Sequence, residues 1–159
     1  MAATACNKLG LHDAELSIAF VGRQRMRNLN HRYRGKNKST DVLSFSQVSF
    51  SRPLKIKTTK KIKITQSPPF RRQFLGDIVI SYLDAAQNAR ECGHSPDQEV
   101  GLLIVHGILH LCGHDHEIAA EERVMFKEQN ELMKLLGRGP GKRTSAPMWR
   151  NCITPRGTK

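Results

Sequence analysis

The sequence predicts an α+β fold, with a single domain in which a small mixed β-sheet is covered by helices around one buried central helix. Short segments of alternating apolarity and longer segments with three- and four-residue apolar spacing occur along the chain. A length of 159 residues suits one domain, and an apolar fraction of 38% permits a modest core. The longest apolar run, residues 100–111, is too short to cross a bilayer. We therefore expect no membrane partner.

The first part of the chain predicts two strands that flank a basic helix. Residues 15–21 alternate in apolarity and stop at Gly22, as a strand would. Residues 23–33 have apolar side chains spaced by three and four, which predicts a short helix. After a polar loop, residues 41–45 predict the second strand, and residues 74–81 predict the third.

The predicted central helix has clear boundaries. A helix over 82–92 comes first and stops at Gly93. Ser95 and Gln98 then form a capping-box pattern around a proline at the first helical position. The helix should run over 96–112 and end at Gly113, and its apolar residues lie on most sides, so we expect it to be buried.

A last helix over 119–136 closes the predicted fold. Its apolar stripe is expected to consist of Ile118, Met125, Leu132 and Leu136, and Gly137 should end it.

The positive charge is concentrated in two segments. The formal net charge is +12, but residues 51–72 hold eight basic residues and no acid, and residues 138–159 hold six and no acid. We therefore divide the chain into a domain over 1–137, with a basic insertion at about 51–72, and a flexible basic tail over 138–159. The insertion also contains the alternating stretch KIKTTKKIKI, which could form a hairpin edge. Such segments favour nucleic acid, and the alternative is solvated arms without a partner.

The four cysteines indicate the compartment. They lie far apart with no C-x-x-C pair, so we expect no disulfide framework and a reducing compartment. The N-terminal residues lack a secretory signal pattern. The expected location is the cytoplasm, with an organelle matrix as the alternative.

A histidine cluster at the end of the central helix predicts a metal site. His106 and His110 are four residues apart, so their imidazoles share one helix face. Gly113 permits a sharp turn that returns His116 as a third ligand. Three nitrogens leave one tetrahedral position open, as in catalytic zinc sites. The prediction is one Zn²⁺ per chain, although Ni²⁺, Cu²⁺ or Fe²⁺ could bind the same nitrogens.

The neighbouring residues are assigned lesser roles. Asp115 is interpreted as a hydrogen-bond acceptor beside the ligands or a loop residue, and His114 as a solvent-side residue; either could serve as general base. Cys112 should point away from the ligands into the core.

The histidine motif HGILHLCGHDH resembles the signature of the YbeY family of endoribonucleases. LNHRYRGKNKSTDVLSF, FLGDIVIS and EERVMFKEQNELMKLLG agree in the same order, so the resemblance covers about 15–137. It implies one α+β domain, zinc held by His106, His110 and His116, and cleavage of single-stranded RNA. It also implies maturation of the 3′ end of small-subunit ribosomal RNA, ribosome quality control and contact with the small ribosomal subunit. The family's functional arginine corresponds to Arg34. The family usually has an opening strand and helix, for which the residues before Glu15 are few, so we expect a truncated start.

Two other function classes have to be weighed. H-x₃-H-x₅-H also fits a metzincin-like zinc protease, and zinc could be structural in a non-catalytic ribosome-assembly factor. A zincin has Glu directly after its first histidine as general base, and Gly107 occupies that position here. A structural zinc is usually closed by four protein ligands. Both points favour the nuclease.

Overall fold

The structure, a computed structural model, describes residues 1–56 and 73–137. In this part of the chain an α+β domain is formed, as predicted. Its elements, in chain order, are α1 (Ala2–Lys8), β1 (Ala14–Val21), α2 (Arg23–Arg34), β2 (Val42–Ser46), β3 (Gln73–Ser81), α3 (Tyr82–Cys92), α4 (Pro96–Leu111) and α5 (Ala119–Leu135).

The three strands form a mixed sheet in the order β1-β3-β2. β3 is central, with β1 parallel to it on one side and β2 antiparallel on the other. Leu75, Ile78 and Ile80 of β3 are completely buried, which accounts for the strongly apolar sequence of this strand. The predicted mixed sheet is confirmed.

Helix α4 is the buried central helix. The Gln98 backbone N–H donates to the Ser95 hydroxyl at 3.2 Å, and the Ser95 N–H donates to the Gln98 side chain at 3.0 Å, which completes the predicted capping box. Gly107 lies against β3, because a Cβ at this position would come within 2.8 Å of the Ile78 side chain. The helix and the sheet therefore approach each other closely beside the histidines.

The two ends of the domain differ from the prediction. Helix α1 was not expected, and it packs through buried Ala5 and Cys6. Its small residues give no helical apolar period, so tertiary contact rather than pattern stabilises it. In α5, Met125 and Leu132 are buried as predicted, but Ile118 is 57% exposed, so its assignment to the apolar stripe was wrong. Ile118 precedes the helix as its N-cap, where it lies off the stripe.

Residues 50–56 belong to the core rather than to a solvated arm. Phe50, Leu54 and Ile56 pack against it, and the Ile56 backbone N–H donates to Glu128 of α5 at 2.9 Å. The rest of the basic insertion, its proposed hairpin edge and the basic tail over 138–159 lie outside the described residues.

Two further features concern the cysteines and the length of the helices. Cys6 and Cys112 are free and buried. Within the described ranges, no helix has the length and apolarity that a membrane crossing requires.

Candidate metal centre

The last two turns of α4 place two imidazoles next to each other. The Nε2 atoms of His106 and His110 are 3.1 Å apart, and their ring centroids are 4.7 Å apart. His106 is buried at 3% exposure, and His110 is partly buried. The helix repeat therefore brings both rings together, as the four-residue spacing predicts.

The turn after α4 brings the third imidazole to the same point. α4 ends at Leu111, and Gly113 adopts a left-handed conformation with φ +86°, which favours glycine. The ring of His116 lies 5.3 Å from that of His106 and 5.1 Å from that of His110, measured between centroids. One ring nitrogen from each residue lies within 4.8 Å of the other two, a grouping that could hold a metal ion.

The outer ring nitrogens of the helical pair are held by acceptors. His106 Nδ1 lies 3.0 Å from Gln129 Oε1, and His110 Nδ1 lies 3.0 Å from the carbonyl oxygen of His114. Because a carbonyl oxygen can only accept, each Nδ1 carries the proton and donates it. Both Nε2 atoms are then unprotonated lone-pair donors.

This tautomer pair fits a cation. Two bare Nε2 lone pairs of His106 and His110 face each other across 3.1 Å, which is repulsive unless a positive charge lies between them. Two nitrogens on one tetrahedral zinc ion are about 3.3 Å apart, given zinc–nitrogen bonds of about 2.0–2.1 Å. The donor set and its spacing therefore suit Zn²⁺.

Burial keeps these imidazoles neutral. Desolvation, reinforced by the neighbouring histidines, lowers the pKa of His106 to about 3. Desolvation and the charge of His116 lower the pKa of His110 to about 4. At neutral pH neither ring carries a competing proton, so both can bind a metal.

Arg34 lies at the end of α2, exposed and close enough for its charge to add to the lowering of the pKa of both His106 and His110. The following loop is tied down on two sides. The Asn30 side chain donates to the Lys38 carbonyl at 2.8 Å, and the Ser39 hydroxyl donates to Asp84 of α3 at 2.5 Å. These bonds fix the loop that follows Arg34.

The prediction of a solvent-side His114 was wrong. His114 is only 4% exposed, and its Nε2 lies 2.5 Å from the carbonyl oxygen of Leu54. Residues 50–56 cover the turn, with the Leu54 N–H donating to the Cys112 carbonyl at 3.2 Å. This cover comes from a contact 60 positions away in the sequence, which local pattern cannot reveal. Residue 114 contacts the histidine cluster through its backbone, because its carbonyl oxygen accepts a hydrogen bond from Nδ1 of His110.

The other neighbours lie closer to expectation. Asp115 is exposed and accepts the His116 backbone N–H at 2.7 Å, and its charge raises the pKa of His110 against the dominant effect of burial. Cys112 is buried in the core as predicted, and burial raises the pKa of its thiol.

Sequence reasoning missed two residues. Gln129 is fully buried, and it is a polar residue four positions after Met125 and three before Leu132 on the apolar face of α5. That break in the stripe was a usable signal. Tyr33 is the last residue in the three-and-four apolar spacing that predicts this helix, which would place it on the apolar face, yet it is 56% exposed next to Arg34.

The comparisons with known proteins point to one family. The family model described as Endoribonuclease YbeY matches residues 1–137. A protein named Endoribonuclease YbeY from Geobacillus thermodenitrificans is 45% identical over 126 residues, covering 78% of this chain and 74% of that protein. One of the same name from Bacillus thuringiensis is 39% identical over 126 residues, covering 79% and 75%. The solution structure of TM1509 from Thermotoga maritima is 20% identical, with a TM-score of 0.49 and coverage of 92% of this chain and 88% of that chain.

Proposed function

The chain belongs to the Endoribonuclease YbeY family, and from this membership we propose that it is a zinc-dependent endoribonuclease that cleaves single-stranded RNA. The observation that carries the proposal is the pair of α4 imidazoles, whose Nδ1 atoms each lie 3.0 Å from an acceptor oxygen while their Nε2 atoms face each other at 3.1 Å.

We assign His106, His110 and His116 the role of holding one zinc ion per chain. Bound there, zinc supplies a Lewis acid for a phosphate oxygen, or a water of lowered pKa. The low pKa values of His106 and His110 support this role, because neutral rings offer lone pairs without losing a proton first.

Arg34 is proposed as the catalytic cation. Its guanidinium is always charged and can fork two hydrogen bonds to a phosphate, so it stabilises the charge that develops there as the bond to the leaving oxygen breaks. Its positive charge adds to the lowering of the pKa of both helical histidines, although less than burial does, and this supports a position close to them.

Tyr33 supports the choice of single-stranded substrate. Tyr33 is 56% exposed, and its ring makes an edge contact with Phe45 at a centroid distance of 4.9 Å. The guanidinium carbon of Arg32 lies 5.6 Å from the centroid of the Tyr33 ring. An unpaired base next to the cleaved phosphate can stack on such a ring, whereas a paired base is already stacked within its duplex.

The cellular role follows from the family. We propose that the substrate is ribosomal RNA, that the 3′ end of the small-subunit RNA is matured at the small ribosomal subunit, and that the enzyme acts in ribosome quality control. The cytoplasm is the proposed location, with an organelle matrix as the alternative. Sedimentation of the tagged protein with small subunits in a cell lysate tests this part.

The alternative of a metzincin-like protease is disfavoured by Gly107. A carboxylate following the first histidine is needed to activate water and protonate the leaving amine. Here that position is packed against Ile78, whose side-chain carbons would lie 2.8–3.0 Å from an added Cβ. A non-catalytic assembly factor with structural zinc is disfavoured by the cluster itself, which within residues 1–56 and 73–137 has three members rather than four.

The deciding experiment combines metal analysis with cleavage assays. We expect about one zinc per chain, strongly reduced by His116→Ala, and chelator-sensitive cleavage of unstructured RNA but not of duplex RNA or unfolded protein. Arg34→Glu should slow cleavage at saturating RNA at least a hundredfold. Arg25→Glu, an exposed change on the same helix, is the matched control and should weaken binding only. Peptidase activity with intact RNA would refute the proposal.

A further inference from the structure

Gln129 is a buried amide at the metal centre that the proposed reaction does not use. It lies on α5, is 0% exposed, and its Oε1 is 3.0 Å from Nδ1 of His106. Its Nε2 is buried and, among the described residues, has no hydrogen-bond partner. A buried amide with one unmatched group is unfavourable for the fold, because that group has lost its water. Packing alone would therefore favour an apolar side chain at this position.

The two rotations of this amide have different consequences for His106. With Oε1 towards the ring, as in the structure, Nδ1 carries the proton and Nε2 is free. With the amide nitrogen towards the ring, Nδ1 must accept, and the proton moves to Nε2. That proton would then point at His110 Nε2, 3.1 Å away, and would occupy the position that a metal needs.

His110 does not share this ambiguity. Its Nδ1 faces the backbone carbonyl of His114, which can only accept, so its tautomer is set by the main chain. Gln129 is thus the side chain that decides whether the two facing nitrogens are both available.

We propose that Gln129 is a positioning residue, whose side-chain carbonyl holds His106 in the tautomer that presents Nε2 to the metal. This rests on the proposed metal centre. The acceptor orients the ring and raises its basicity, as acceptors behind metal-bound histidines do.

The test uses two substitutions at one position. Gln129→Met keeps the length of the side chain but replaces the carbonyl with a thioether, which is only a weak acceptor, so zinc should bind about tenfold to a hundredfold more weakly. Gln129→Glu keeps an acceptor and should bind zinc as tightly as the parent or more tightly, even where burial of the carboxylate lowers the melting temperature. Leu132→Met, equally buried on the same helix, is the control and should leave zinc affinity unchanged.

Zinc affinity is measured by competition with a chromophoric chelator, and circular dichroism melting shows which variants are folded. Nitrogen-15 NMR of the zinc-loaded parent, labelled on histidine, gives an independent readout, because it distinguishes a protonated Nδ1 from a protonated Nε2. It should show the His106 proton on Nδ1. Folded Gln129→Met with parental zinc affinity, or a parent with the His106 proton on Nε2, would overturn this inference. A parent that binds no zinc would instead refute the metal centre.

Discussion

Gly107→Ala tests the close approach of α4 to the sheet. The added Cβ would lie 2.8, 2.9 and 3.0 Å from three side-chain carbons of Ile78, a residue with no exposed surface. Overpacking of this kind costs about 1–3 kcal/mol. Ala gains about 1 kcal/mol over Gly in a helix interior, so the net loss should be about 1 kcal/mol. For a chain of this size that lowers the melting temperature by about 2–4 °C.

The partner substitution makes the reasoning specific. Ile78→Val removes Cδ1, the atom closest to the added methyl group, and alone should cost about 0.5–1.5 kcal/mol. Combined with Gly107→Ala, the two changes should cost less than their sum by about 1 kcal/mol, which urea unfolding of all four proteins measures. If Gly107→Ala is more stable than the parent by its full helix-propensity gain, the close contact is absent and the reasoning fails.

Three further outcomes are expected. Without metal, the free energy of unfolding should fall as pH drops from 6.5 to 4, because His106 and His110 bind protons in the unfolded state but stay neutral in the folded state. The lowered pKa of His110 alone accounts for about 3 kcal/mol over this range. A free energy of urea unfolding that does not depend on pH would contradict this prediction. His114→Ala should cost about 1–3 kcal/mol in unfolding free energy yet change zinc affinity only a few-fold, since the carbonyl that holds His110 is main chain; loss of zinc would contradict this. A stop after Gly137 removes six cations, so RNA affinity should fall and its salt dependence flatten, while an unchanged slope would show that the tail does not contact RNA.

Local signals predicted the elements that build the site. The capping box at Ser95 and the glycine at 113 define both ends of α4, and each acts through main-chain geometry within a few residues. The four-residue spacing of His106 and His110 determines their shared face for the same reason. These features could be read from the sequence because their causes lie within one turn of helix.

The rest of the site depends on contacts between distant segments. His114 is buried because residues 50–56 fold over it, and nothing in the CGHDH stretch indicates that cover. Helix α1 forms from small residues whose burial arises only against the completed core. Gln129 was visible as a polar break in an apolar stripe, but its partner lies 23 positions away. The local sequence pattern does not predict which distant residue a buried polar group will contact.

The charge balance of the site is coherent with an anionic substrate. Imidazole side chains carry no negative charge, so they would not cancel the charge of a bound cation. Burial keeps His106 and His110 unprotonated, so these two rings do not repel the positive charge of Arg34. A carboxylate at residue 107, as in a zincin, would reduce this positive potential, whereas Gly107 leaves it intact. The exposed carboxylate of Asp115 reduces part of this positive potential. A phosphodiester, which gains negative charge as it is cleaved, matches this potential better than an uncharged peptide bond.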